Sequence, residues 1–130
     1  MSDKKRRNCN TIFERIQGRR IQLAVVGSGY VGLATAALFA NAGFKVTAID
    51  VSSAIIENIN CTRLLKEPGL EELVTHNVQN GKLKAVLASK ANFGEINAAI
   101  VAVQTPIDET KKPNLSFLLS VCALSIFIQP

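Results

Sequence analysis

The sequence predicts an α/β fold, an open doubly wound parallel sheet with helices on both faces. Three observations lead there. Short apolar runs alternate with segments of helical periodicity, the order that parallel strands joined by crossover helices require. Those runs are nearly unbroken by polar residues, as strands covered on both faces demand. Small and branched aliphatics dominate an apolar share of 48%, against 5% aromatic residues and no tryptophan, which excludes disorder for most of the chain. At 130 residues there is room for one domain with one core.

Residues 11–17 can form a short helix, and residues 21–26 (Ile-Gln-Leu-Ala-Val-Val) are the first strand, stopping at Gly27. From Tyr30 to Ala42 the spacing becomes helical. Val31, Ala34 and Leu38 share one face beside Leu33 and Ala37, and Gly43 is a natural stop. Residues 44–49 form a second strand, followed by Asp50, and Ser52 or Ser53 can cap a short helix reaching Asn60. Pro68 stands near the start of another helix. Glu71 and Glu72 lie in its first turn, where the helix dipole favours acids, and its apolar stripe is Leu70, Leu73, Val74 and Val78. A third strand fits residues 83–87 and a fourth residues 98–103, before a loop through Thr105-Pro106 to Pro113. Residues 115–128 carry no charge and show two apolar stripes, one with Leu115, Leu118, Leu119 and Cys122, the other with Phe117, Val121 and Leu124. A helix apolar on most sides is expected in the interior, and this one is shorter than the about 20 residues that span a bilayer. The fold expected is therefore a sheet that stops after its fourth strand and the helix that follows.

Charge is concentrated at one end. Lys4, Lys5, Arg6, Arg7, Arg15, Arg19 and Arg20 face only Asp3 and Glu14. Taking these from the chain's 15 basic and 10 acidic residues leaves eight of each. The surplus belongs to residues 1–20, a basic extension ahead of a near-neutral domain over residues 21–130. Without interleaved aromatics for base stacking, it reads as a solvated terminus, not a nucleic-acid site. Cys9, Cys61 and Cys122 are odd in number and hold no CxxC pair, so neither a zinc pattern nor a disulfide framework is expected, and no metal. Free thiols and a charged N-terminus without an apolar signal segment suggest a cytoplasmic protein with no membrane contact.

Gly27-Ser28-Gly29-Tyr30-Val31-Gly32 has the form G-x-G-x-x-G, placed after a strand and opening a helix. There the first glycine permits a tight turn, the second lets backbone approach a diphosphate, and the third lets helix and strand pack closely. The helix start offers unpaired N–H groups to the phosphates. Asp50 lies at the end of the second strand, 18 residues past Gly32 (50 − 32), near the offset of about 20 at which a carboxylate accepts both ribose hydroxyls. Such a carboxylate repels a 2′-phosphate, so NAD is favoured over NADP. These features make the expected fold Rossmann-type.

Three stretches carry a more specific resemblance: Val26-Gly27-Ser28-Gly29-Tyr30-Val31-Gly32-Leu33, then Glu67-Pro68-Gly69-Leu70-Glu71-Glu72-Leu73, then Val103-Gln104-Thr105-Pro106 with Pro113-Asn114-Leu115-Ser116. In order and spacing they resemble the UDP-glucose/GDP-mannose dehydrogenase family, over about residues 21–120. The resemblance implies an NAD-dependent, four-electron oxidation of a sugar C6 alcohol to a carboxylate, with UDP-glucose the favoured substrate. It implies cofactor contacts from Gly27, Ser28, Gly29, Tyr30, Val31, Gly32, Asp50, Val103 and Thr105. Independently, Pro106 biases Thr105 to extended backbone, and ligands of such sheets lie beyond the carboxyl ends of the strands.

The chain also departs from that family, whose members are several hundred residues long and add a sugar-binding domain and a catalytic cysteine in a Gly-rich motif. None of the three cysteines here has that setting, and Cys122, on a core stripe, is expected to act as a small hydrophobe. No catalytic residue is therefore assigned, and inactivity alone is expected unless another chain supplies the sugar domain. His76 falls off the stripe of its helix as a solvated side chain, and Glu67, Glu71 and Glu72 read as helix-start residues, not paired acids. Asn114, where the family usually has Asp, can equally cap the last helix. The competing readings are a non-catalytic NAD-sensing module and another Rossmann enzyme such as a hydroxyacid dehydrogenase, against which the E-P-G-L-E-E-L stretch argues. An unpaired fourth strand at the sheet edge predicts a homodimer or larger species.

Overall fold

The computed structural model of the chain describes residues 11–63 and 69–125. The readings that fall on Lys4, Lys5, Arg6, Arg7, Cys9, Glu67, Pro68 and residues 126–128 lie outside them. After a leading helix α1 (residues 11–17) come β1 (Gln22–Val26), α2 (Tyr30–Asn41), β2 (Lys45–Asp50), α3 (Ser53–Asn60), α4 (Leu70–Gln79), β3 (Leu83–Leu87), β4 (Ala98–Val101) and α5 (Ser116–Ser125). Two short 3-10 turns, Ala88–Lys90 and Phe93–Glu95, connect β3 to β4.

The strands form a parallel sheet in the order β3-β2-β1-β4, the first four positions of the doubly wound order. Its register decides where the ends emerge. Val26 pairs with both Ile49 and Val101, and Asp50 pairs with Leu87. The segments following all four strands therefore leave the sheet along one edge.

Side chains alternate between faces, and the two faces are covered very unequally. Leu23 and Val25 of β1 join Val46, Ala48, Leu83 and Ala85 beneath α2, α3 and α4 in the main core, where Ile59 and Val74 are fully buried. The opposite face holds a smaller cluster of Ala24, Val26 and Ile49, covered by Phe93, Ile96, Val103 and Val121.

Two expectations about helix faces need correction. α2 turns Gly32, Leu33, Ala36, Ala37 and Ala40 to the sheet, while Val31 and Leu38 are 68% and 61% exposed. Gly32, Ala36 and Ala40 recur every four residues, and their small size lets the helix lie close to the strands. α5 is not interior: Leu119 is 65% and Phe117 50% exposed, and Cys122 is an exposed free thiol, not a packed hydrophobe. The thinly covered face explains this, since among the described residues Val121 is the α5 side chain packed on its buried cluster. β4 meets the expectation of an exposed edge, with three of its four residues open to solvent.

Elsewhere the local reasoning holds. Ser52 caps α3 by accepting the Ile55 N–H at 3.4 Å, and Leu70, Leu73 and Val78 pack on the main core around buried Val74. His76, Glu71 and Glu72 are exposed on α4. The outer edge of β3 is not bare. The Asn60 side chain accepts the Ala85 N–H at 3.0 Å and donates to its carbonyl at 2.9 Å, in place of a neighbouring strand. Among the described residues, no helix is long and apolar enough to cross a membrane and no group of three or more His, Cys, Asp or Glu could hold a metal ion.

Candidate cofactor site

The chain leaves β1 through a turn that a side chain would destroy. Gly27 has φ +98°, and a Cβ there would strike the Ala102 carbonyl. At Gly32, one turn into α2, a Cβ would land on the Gly27 carbonyl. The glycine turn, the helix start and the segment after β4 are thus in mutual backbone contact. Gly29 is different. Its φ of −68° suits any residue, no side chain caps the helix at this N-cap position, and a Cβ added there would meet nothing within 4 Å. Packing does not require glycine at this position.

The first turn of α2 leaves donors free. Leu33 N–H donates to the Gly29 carbonyl at 2.9 Å, the first bond of the helix, so the N–H groups preceding it have no helical acceptor and point out of its N-terminus. Behind them, Gly27 N–H donates to the Ile49 carbonyl at 2.8 Å. Ser28 is buried, with a hydroxyl that lacks a protein partner, whereas Tyr30 and Val31 are exposed on the first helical turn.

Asp50 stands across from this turn at the end of β2. Its Oδ2 accepts the Ser28 N–H at 2.8 Å and its Oδ1 the Ser52 N–H at 2.9 Å. A carboxylate has about four acceptor positions, so roughly half remain for a ligand.

A cavity of ≈ 290 Å³ opens here, lined by Val26, Gly27, Gly29, Ile49, Asp50 and Val51, with Ile55, Ala88, Ala102, Val103, Gln104 and α5. Its volume is at the lower end of the about 300–1,000 Å³ usual for ligand pockets. Of the residues picked out in the sequence, Gly27, Gly29, Asp50 and Val103 line it. Ser28 and Gly32 shape the turn from behind, and Tyr30, Val31 and Thr105 lie outside the lining and exposed. Sequence reasoning missed Ile55 and Ala88, which follow β2 and β3, and Phe117, Ser120 and Val121 of α5. The rule that ligands sit beyond the carboxyl strand ends would have pointed to the first two. The Phe117/Val121 stripe was visible, but its cover was not.

Between Thr105 and α5 the chain makes a small hairpin, bridged at Ile107 and Pro113. Asp108 holds it together, accepting from the Thr110 hydroxyl at 2.7 Å, the Thr110 N–H at 2.8 Å and the Lys112 N–H at 2.9 Å. The Thr110 hydroxyl and then the Lys112 N–H hold its carboxyl below the ordinary value of 3.8, against slight desolvation. A lowered folded pKa stabilises the hairpin above the ordinary value, and this is lost as pH falls through the folded one. The amide signals of Thr110 and Lys112 should therefore titrate with a midpoint below 3.8. A midpoint at or above 3.8 would contradict the geometry.

Comparison with known proteins bears on the family and the fold. The model of the UDP-glucose/GDP-mannose dehydrogenase family, NAD binding domain, matches residues 21–126. The UDP-N-acetyl-D-mannosamine dehydrogenase of Campylobacter jejuni is 38% identical over 99 residues, which cover 75% of this chain and 23% of that protein. The structure of a UDP-D-ManNAc dehydrogenase from Pyrococcus horikoshii superposes with a TM-score of 0.76 at 31% identity, over 84% of this chain and 26% of that one. That of a UDP-glucose dehydrogenase from the hyperthermophilic archaeon Pyrobaculum islandicum gives 0.74 at 31% identity, over 80% and 24%. The chain spans about a quarter of the length of these relatives.

Proposed function

Since the chain belongs to the UDP-glucose/GDP-mannose dehydrogenase family, as its NAD-binding domain, we propose that it is the cofactor-binding part of an enzyme oxidising a nucleotide sugar's C6 alcohol to a carboxylate. One observation carries the reading: Gly27, Gly29, Asp50 and Val103 meet around a single cavity at the carboxyl edge of the sheet, beside an uncapped helix start. Residues 21–130 are the cofactor domain, and residues 1–20 are a basic extension to it. The free N–H groups of α2 receive the diphosphate, Gly29 leaves room for it, and Asp50 accepts the ribose hydroxyls. Val103 lines the same cavity, and Thr105, on the segment after β4, faces the cofactor. When bound, NAD supplies the hydride acceptor, twice per sugar for a four-electron oxidation.

The sugar site and the catalytic thiol belong to residues beyond these 130, in the same polypeptide or a partner chain, so the isolated chain binds NAD without turnover. UDP-glucose is the substrate we favour, and the UDP-N-acetyl-D-mannosamine named for a relative is its competitor. The protein works in the cytoplasm. Exposed β4 and the apolar side of α5 favour self-association, so light scattering of the isolated chain at micromolar concentration should give a dimer or larger species. A clean monomer would refute that part.

Calorimetry with NAD, NADP and UDP-glucose in parallel tests the cofactor reading: NAD should bind, NADP far more weakly, and UDP-glucose not at all to this chain alone. Adding the sugar domain should then give NADH from UDP-glucose in preference to UDP-N-acetyl-D-mannosamine. NAD binding with no NADH from any mixture would favour a non-catalytic sensor, and no NAD binding would overturn the proposal.

A further inference from the structure

We infer that Asp50 is a positioning residue for the glycine turn as well as the ribose acceptor, holding the turn in its ligand-ready shape before any cofactor arrives. The inference rests on the NAD reading for the ribose but not for the turn. Ser28 N–H lies next to the group of N–H donors that the helix start presents, and it is taken by Asp50 Oδ2 at 2.8 Å across 22 residues of chain. Ser28 is only 5% exposed, so water does not readily replace that acceptor, and a buried N–H left without one is rare in folded proteins. Asp50 is itself fixed, because its other oxygen accepts the Ser52 N–H at 2.9 Å, at the N-cap of α3.

The carboxylate therefore joins three parts: the turn after β1, the end of β2 and the start of α3. Each oxygen spends one acceptor position on backbone and keeps another, so the turn and the ribose can be held at once. The direction in which the next N–H groups point depends on a side chain that the ligand's sugar also touches. The diphosphate cradle and the ribose grip are one unit, in which the protein's own carboxylate sets the geometry that both halves of the ligand need.

Amide hydrogen exchange on the ligand-free 130-residue chain tests this. In Asp50→Ala, Ser28 should exchange about tenfold faster or more, as expected for losing a charge-assisted bond to a buried donor, while Ile59 and Val74 in the core keep their protection. Ser28→Ala, which retains the backbone N–H, should keep the slow rate. If Asp50→Ala does not fold, Asp50→Asn gives a second readout: the Ser28 amide proton should move upfield when its acceptor loses its charge. An unchanged Ser28 rate in a folded Asp50→Ala chain, or an unchanged Ser28 shift in Asp50→Asn, overturns the inference. Because no cofactor is present, a failure of the NAD reading alters neither readout, and a failure here leaves NAD binding to be judged by calorimetry.

Discussion

Gly32→Ala is expected to remove a large share of the domain's stability, whereas Gly29→Ser, three residues earlier, should leave it unchanged or raise it. At Gly32 the added methyl would occupy the position of the Gly27 carbonyl, with Ala102 Cβ 3.5 Å away on the other side. Neither neighbour can yield cheaply. Gly27 is fixed by its N–H bond to Ile49 and its positive φ, and Ala102 by its N–H bond to Val26. Overpacking a yielding core costs about 1–3 kcal/mol, and displacing a hydrogen-bonded backbone turn should bring the loss to roughly 3–5 kcal/mol, near the extreme for single substitutions. That is a large share of the roughly 5–15 kcal/mol of a typical domain. At Gly29 the opposite applies. Its extended backbone is ordinary for an N-cap and its surroundings are empty, and serine there can cap a helix that now lacks a side-chain cap, a gain of roughly a few tenths of a kcal/mol over glycine. The same hydroxymethyl group would stand where the diphosphate approaches, so NAD affinity should fall about 5- to 150-fold for a roughly 1–3 kcal/mol clash. Denaturant midpoints for the two variants, with calorimetry on Gly29→Ser, check both halves. Loss of less than about 1 kcal/mol in Gly32→Ala would mean that helix and turn need not lie so close.

The contrast between these glycines was legible in the sequence because G-x-G-x-x-G after an apolar run has one mechanical reading. So was the strand order, since unbroken apolar strands alternating with helices leave few parallel topologies. The end of β4 was less legible. The apolar run continues to Val103, but the strand stops at Val101 because Ala102 already turns against Gly27, a contact between segments 75 residues apart (102 − 27). The buried face of α2 could not be read because the helix is apolar nearly all round, and the choice fell to the small residues Gly32, Ala36 and Ala40. α5 shows the same limit from the other side. Apolar stripes tell which faces can be buried, and only the arrangement of neighbours tells whether anything covers them. The bond from Ser28 to Asp50 is illegible for a related reason, because it depends on the pairing of Val26 with Ile49.

Asp50→Ala should weaken NAD binding by roughly 1–3 kcal/mol, or about 5- to 150-fold, the cost of losing charge-assisted hydrogen bonds to the ribose. Its preference for NAD over NADP should shrink as well, since the charge that repels a 2′-phosphate is gone. The two effects separate the possible roles of the side chain. If Asp50 only capped the next helix, alanine would lower stability through Ser52 and leave the ratio of NAD to NADP affinity where it was. If it only gripped the ribose, asparagine, which can still accept one hydroxyl, would recover part of the affinity with no change at Ser28. With both ribose and turn in its hold, affinity falls in either variant, by more in alanine, and the fall is accompanied by loosening of the Ser28 amide. Unchanged NAD affinity in Asp50→Ala would remove the ribose from this carboxylate altogether and leave it only the turn and the start of α3 to hold.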